Sequence, residues 1–112
     1  MSPVDEEEQS VIARNEALFR EINEGIERGQ WPGEEDAPVG FRCECARLGC
    51  NELIELTVRQ YERVRADPRR FVVAPGHELP DGETVVDSGG GYVVVEKRDQ
   101  AGATAEGTDP RR

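Results

Sequence analysis

The sequence has little of the material from which small hydrophobic cores are made. Its 112 residues include one Trp, two Tyr and three Phe, and only 36% of them are hydrophobic. No segment approaches the run of about 18 apolar residues that a membrane-spanning helix needs. Small domains bury a smaller share of their surface, so we expect this one domain to need a metal or a disulfide for stability.

Cysteine and histidine are also scarce, with three Cys and one His in the chain. An odd number of cysteines does not suit a disulfide framework. The first eight residues end in a run of acidic side chains, whereas a secretory signal begins with basic residues followed by an apolar segment. We therefore expect a cytoplasmic protein with reduced thiols and no membrane association.

Positive charge is the third shortage, because 24 acidic residues face 14 basic ones and the net charge is −10. Residues 1–40 account for −8 of this charge, whereas residues 41–74 carry +2. The total disfavours nonspecific nucleic-acid binding, since phosphate contacts need a positive potential. The arginine-bearing middle of the chain remains suited to an acidic target.

The N-terminal part is predicted to be an acidic flexible lead over residues 1–9 and a helix over residues 10–29. Steps of three and four connect Ile12, Asn15, Phe19, Ile22 and Ile26, which form an apolar stripe that Asn15 interrupts. The polar side of the helix is predicted to carry Arg14, Glu16, Glu21, Glu24 and Glu27. We expect this helix to pack on its own domain, and the alternative is a helix that joins two copies as an oligomer.

Residues 30–40 are rich in turn formers and are predicted to be a linker to an α+β domain over residues 41–97. Short strands are predicted at 41–45 and 52–56. Thr57 and Gln60 have the spacing of a capping box, which opens a helix that ends near Ala66.

The second half of the domain is predicted to be a strand at 71–74, followed by a hairpin of strands at 84–87 and 92–97. Residues 98–112 lack hydrophobic periodicity and are predicted to be a disordered tail. The predicted fold is therefore a long N-terminal helix and a small antiparallel sheet, with a zinc knuckle and one short packed helix.

The most informative residues are Cys43, Cys45 and Cys50. Side chains at i and i+2 of an extended segment point to the same face, so Cys43 and Cys45 can converge on one point. Gly49 tolerates the positive φ that turns the chain back and brings Cys50 to the same point. Three thiolates leave a tetrahedral metal one ligand short, and the lone His77, after Pro75 and Gly76, is the candidate fourth ligand.

The resulting prediction is a Cys3His site for Zn²⁺ that contributes to folding. Three other interpretations stay open at this point. Glu44, Glu52 or an aspartate can replace His77, or the fourth position can be open, with Glu78 as the neighbouring general base. A thiolate flanked by Arg42 and Arg47 can be a reactive or redox cysteine. The cysteines can also be unligated.

Several strings in residues 10–97 resemble those of a group of small, functionally uncharacterised bacterial proteins that look zinc-binding. They are Arg14–Arg20 with Asn23 and Glu24, Phe41–Cys45 with Cys50, Tyr61–Arg65 with Pro68 and Phe71, Pro75–Glu78, and Val94–Lys97. The resemblance implies a metal site at Cys43, Cys45, Cys50 and His77. It implies no activity.

A cluster of arginines is the remaining candidate for partner binding, at Arg59, Arg63, Arg65, Arg69 and Arg70. It can be an ion-paired face or a docking surface for an acidic partner or nucleic acid. One histidine without a nucleophile motif makes no catalytic triad. We therefore expect a protein-interaction or regulatory module with no catalytic residues. The alternatives are a thiol or open-zinc enzyme and a nucleic-acid-associated regulator.

Overall fold

The computed structural model describes residues 6–45, 47, 49–80 and 82–111, and for residues 6–11 it describes the backbone. In chain order the elements are α1 (Glu6–Arg28), β1 (Pro38–Arg42), β2 (Leu53–Thr57), α2 (Val58–Arg65), β3 (Arg70–Val73), β4 (Glu83–Ser88), β5 (Val93–Lys97) and α3 (Asp99–Gly107). The predicted α+β class is confirmed. No helix among these residues has the length and apolar character needed to cross a membrane.

The strands form two small antiparallel sheets, whereas the sequence predicted one. β1 pairs with β2, and the second sheet has the order β3–β5–β4. β1 begins at Pro38, inside the predicted linker, and ends at Arg42. The Glu44 N–H donates to the Val72 carbonyl at 2.8 Å, so the chain after β1 joins the two sheets.

The core lies between these sheets and α2. The rings of Phe41 and Tyr61 stack with centroids 4.5 Å apart, next to the buried valines of β3 and β5. The predicted capping box fixes the start of α2: Thr57 Oγ1 accepts from the Gln60 N–H at 3.1 Å, and Gln60 Oε1 accepts from the Thr57 N–H at 2.8 Å. The sequence prediction of this helix is confirmed.

Helix α1 begins earlier than predicted, since residues 6–9 of the expected lead are already helical, while residues 1–5 lie outside the described residues. Its buried face also differs from the predicted one. The residues that it buries are Glu16, Phe19, Arg20, Asn23 and Glu24, whereas Ile22 is 37% exposed. The placement of Glu16 and Glu24 on the polar, solvent-facing side was wrong, because both carboxylates find cations inside the fold.

These cations come from distant parts of the chain. The Lys97 ammonium lies between the carboxylates of Glu16 and Glu83 and donates to Glu16 at 2.7 Å. The Arg65 guanidinium pairs with Glu24 at 2.8 Å and with Asp109. Helix α1 thus packs on its own domain, as predicted.

The C-terminal segment corrects a second prediction, because residues 99–107 form helix α3 where a disordered tail was expected. Ala105 is 5% exposed, and its carbonyl accepts from Arg20 Nη1 at 3.3 Å. Gly102 is necessary for this packing, since a Cβ there would meet the Arg69 guanidinium and the Lys97 carbonyl, the latter at 2.9 Å. The helix is held by close approach of small residues, which leaves no hydrophobic periodicity in the sequence.

Candidate metal centre

The first two cysteines follow β1 on a segment that the backbone holds in place. The Cys43 N–H donates to the Glu52 carbonyl at 3.0 Å, and the Cys43 sulfur accepts from the Ala74 N–H at 3.1 Å. Cys43 and Cys45 are both buried, at 1% and 0% exposure. Their i, i+2 spacing puts both thiols on one side of the segment, as the sequence predicted.

The other two residues are delivered by turns that contain glycine. Gly49 has φ +82 immediately before Cys50, and Gly76 has φ +87 immediately before His77. This left-handed region is readily open to glycine and costly for other residues. Arg47 links the two turns by donating to the Gly76 carbonyl at 2.8 Å.

The four side chains converge as the sequence predicted. The ligand atoms of Cys43, Cys45, Cys50 and His77 all lie within 4.8 Å of one another. His77 Nδ1 lies 3.6 Å from the sulfurs of both Cys43 and Cys50. A tetrahedral zinc ion bonded to sulfur at about 2.3 Å and to nitrogen at about 2.1 Å separates these donors by about 3.6 Å. The described side chains are therefore spaced to hold a metal ion.

The imidazole of His77 has different neighbours at its two nitrogens. Nδ1 faces the thiols, while Nε2 lies 3.8 Å from a carboxylate oxygen of Glu52. Histidines that bind metals commonly direct their other nitrogen to a carboxylate, which orients the ring and increases its basicity. Glu52, which the sequence offered as an alternative ligand, thus lies on the outer side of the histidine.

Glu44 is excluded as a ligand by its own contacts. Its buried carboxylate accepts from Asn23 Nδ2 and the Tyr61 hydroxyl, each at 2.8 Å, and from the Val72 N–H at 3.0 Å. It points to the side of the segment opposite Cys43 and Cys45, as alternation requires. Sequence reasoning missed this structural role, although the Cys-Glu-Cys alternation was the signal for it.

The protonation of the cysteines bears on the reactive-thiol alternative. Burial raises the pKa of both Cys43 and Cys45 in the metal-free chain. A reactive cysteine needs the opposite, a lowered pKa that supplies thiolate. The two flanking arginines are also engaged elsewhere, Arg42 with the Asn51 carbonyl and Arg47 with that of Gly76.

A substrate cleft at the cluster would support the open-site alternative. Two open clefts among the described residues, one beside Trp31 and one beside Tyr92, are lined neither by the four ligands nor by Glu78. Glu78 Oε1 is buried and makes no hydrogen bond to the described residues. The cluster therefore offers four protein ligands, and these two clefts lie elsewhere.

The predicted arginine surface is not one surface. Arg65 is 4% exposed and forms buried ion pairs, so its assignment as a partner-binding residue was wrong. Arg59 pairs with Asp36, Arg69 with Glu106, and Arg70 with Glu96. Arg63 is exposed, and its side chain forms no hydrogen bond or ion pair with the described residues.

No protein-family model, curated protein or solved structure matches the chain. The resemblance to small bacterial zinc-binding-like proteins stays a prediction. The interpretation of the site rests on its donor atoms and their spacing.

Proposed function

We propose that the chain is a zinc-binding protein whose Cys3His site is structural, and that it acts in the cytoplasm as a protein-interaction or regulatory module. The observation that supports the metal is the convergence of three sulfurs and one imidazole nitrogen within 4.8 Å. Three thiolates and one imidazole form a soft donor set that suits Zn²⁺. Membership of the bacterial group that the motifs resemble belongs to the same proposal.

A structural role is favoured over a catalytic one by the number and position of the ligands. Four protein ligands complete a tetrahedral ion, whereas catalytic zinc keeps one position for water or substrate. The ligands come from the segment after β1, the turn at Gly49 and the loop after β3. An ion at this point would join both sheets.

The test is the metal content of the purified protein and of two matched variants. We expect about one zinc per chain, little zinc in His77→Asn, and full zinc in the adjacent Glu78→Gln, because only His77 is a ligand. Substitution of Co²⁺ should give the visible spectrum of a tetrahedral thiolate site. Equal zinc in wild type and both variants would overturn the ligand assignment.

The enzymatic alternative is tested by thiol-labelling kinetics on the zinc-loaded protein. A structural site protects all three cysteines, since each sulfur is bound to the ion and two are buried. Rapid alkylation of one cysteine in protein of full zinc content would favour a thiol or open-zinc enzyme and contradict the structural role.

A further inference from the structure

The two edge strands of the three-stranded sheet, β3 and β4, differ in what covers them. The edge at β3 is covered by the metal-ligand segment, through hydrogen bonds from Glu44 N–H to Val72 O, from Val72 N–H to Glu44 Oε1 and from Ala74 N–H to the Cys43 sulfur. The edge at β4 pairs only with β5 among the described residues. The sheet is thus closed on one side and open on the other.

The open edge lacks the lysine and proline that often protect edge strands. β4 contains no lysine and no proline, and five of its six residues are exposed. Val85 is 52% exposed and Val86 37%. The register shift between Val85 and Asp87 is the one irregularity in its pairing. Exposed edges of this kind are where an extended segment adds as another strand.

A cleft of about 280 Å³ lies beside this edge. α2 contributes Gln60 and Arg63 to its lining, β3 contributes Arg70, and the β4–β5 hairpin contributes Asp87 and Tyr92. It therefore reaches across the face of the sheet, from α2 to the open edge.

The charged side chains of the cleft indicate which kind of ligand it can bind. Arg63 has no carboxylate partner among the described residues, while Arg70 shares its charge with Glu96 at 3.1 Å and Asp67 at 3.8 Å. Asp87 accepts a hydrogen bond from the Ser88 N–H at 2.8 Å. A guanidinium without a carboxylate partner, in a cleft that a second arginine also lines, can donate charge-assisted hydrogen bonds to the carboxylate of a ligand.

We propose that the β4 edge and the Arg63–Arg70 cleft form one docking site for an extended acidic protein segment. The segment would add as a fourth strand beside β4 and direct a glutamate or aspartate side chain into the cleft that Asp87 and Arg63 both line, where Arg63 would donate to it. This inference rests on the interaction role proposed above, for which it names the surface and the kind of partner. It refines the arginine cluster predicted from the sequence to two residues.

The test uses zinc-loaded protein and a fluorescently labelled, end-blocked peptide of four Val-Glu repeats, with binding measured by anisotropy. We expect saturable binding that Arg63→Glu weakens by about tenfold or more, since a charge-assisted contact is replaced by repulsion. Arg59→Glu is the matched control: it makes the same charge change on the same helix, but Arg59 pairs with Asp36 outside the cleft. It should change affinity by less than about twofold.

Strand addition has a separate signature in the peptide backbone. N-methylation of alternate residues keeps the side chains and removes the hydrogen bonds along one edge, so one of the two alternate patterns should abolish binding. A peptide with Lys in place of Glu should bind at least about tenfold more weakly. Zinc content and circular dichroism of each variant show that the metal site and the fold are retained.

Several outcomes would overturn the proposal. They are no binding to protein of full zinc content, equal affinity of Arg63→Glu and Arg59→Glu, and insensitivity to both methylation patterns. A single-stranded RNA that binds while the peptide does not would assign the cleft to nucleic acid. A dimer in sedimentation equilibrium that Val86→Lys dissociates would show that a second copy covers the edge. Low zinc content in the wild type would instead signal failure of the metal site.

Discussion

The metal-ligand cluster and the face of α1 both bury polar side chains, but they neutralise them in different ways. At α1 the chain supplies both members of each pair: Lys97 meets Glu16, and Arg65 meets Glu24 and Asp109. At the cluster, three sulfurs and one imidazole nitrogen face one another, all within 4.8 Å. Buried polar groups need partners, so the first region has its ion pairs supplied by the chain, and we expect the second to depend on a metal.

This difference predicts how each region fails. We expect substitutions to destabilise the ion-paired region. We expect the cluster to be destabilised by removal of the metal, with no change of sequence. The lean hydrophobic composition makes both regions important, because the described core contains few aromatic side chains to compensate for either loss.

Metal removal should have the largest effect. Structural zinc sites contribute apparent binding energies of about 10 kcal/mol or more, whereas whole domains are stable by about 5–15 kcal/mol. Treatment with a strong chelator under reducing conditions should therefore unfold the protein, as followed by far-ultraviolet circular dichroism, and added zinc should restore the signal. An unchanged thermal transition after complete zinc removal would show that the two regions do not differ in this way.

Breaking an ion pair at α1 should have the next largest effect. Arg65→Met removes a buried cation from both Asp109 and Glu24, although Arg20 still lies 3.8 Å from Asp109 and Arg111 still meets Glu24. We expect a loss of about 3 kcal/mol in the free energy of unfolding, measured by urea denaturation at constant zinc. Arg63→Met, on the exposed side of the same helix, should change it by no more than about 0.5 kcal/mol. Equal losses in the two variants would argue against the buried network.

Asn23 tests the connection between the two regions. Its side chain donates to the Arg42 carbonyl at 2.9 Å and accepts from the Arg42 N–H at 2.7 Å, immediately before Cys43. Asn23→Ala should cost about 2 kcal/mol of unfolding free energy, because buried groups lose their partners. It should also speed zinc transfer to a chromophoric chelator. Glu21→Ala, on the exposed side of α1, is the control. If the Asn23→Ala and Glu21→Ala variants transfer zinc at the same rate, the two regions are not connected through Asn23.

The smallest expected effect is a dependence on pH at the C-terminal end of α1. Burial and the neighbouring Glu62 raise the pKa of Glu27 from 4.5 to about 7. The folded state then binds this proton more tightly than the unfolded state does. The contribution of Glu27 to stability is thus complete below about pH 4.5 and is lost as the pH rises through about 7.

Glu27→Gln should remove this contribution, which we expect to be below about 1 kcal/mol because the side chain still meets solvent. The measurement is the difference between the stability–pH profiles of wild type and variant, in which effects on the metal ligands cancel. Glu21→Gln provides the control profile. A flat difference between pH 4.5 and 7 would contradict the raised pKa.

The sequence predicts the parts of this molecule that follow local rules. Alternation along an extended segment brings Cys43 and Cys45 together, glycine turns bring Cys50 and His77, and the Thr57–Gln60 spacing starts α2. Each of these rules acts over a few residues, so no knowledge of the remaining fold is needed.

The predictions that were wrong depend on contacts between residues that are far apart in the sequence. Glu16 is buried because Lys97, 81 residues further on, meets it. Residues 99–107 are helical without hydrophobic periodicity, because Gly102 and Ala105 are small enough to pack closely on the rest of the domain. A polar stripe on α1 and a tail without apolar spacing both look solvated until their partners are known.

X-ray absorption at the zinc edge of the purified protein tests the central claim most directly. The account predicts a first shell of three sulfurs at about 2.3 Å and one nitrogen at about 2.0–2.1 Å. The nitrogen contribution should persist in Glu78→Gln, and the little zinc that His77→Asn retains should lack it. A shell of oxygen and nitrogen alone, or protein that folds without bound metal, would contradict the account.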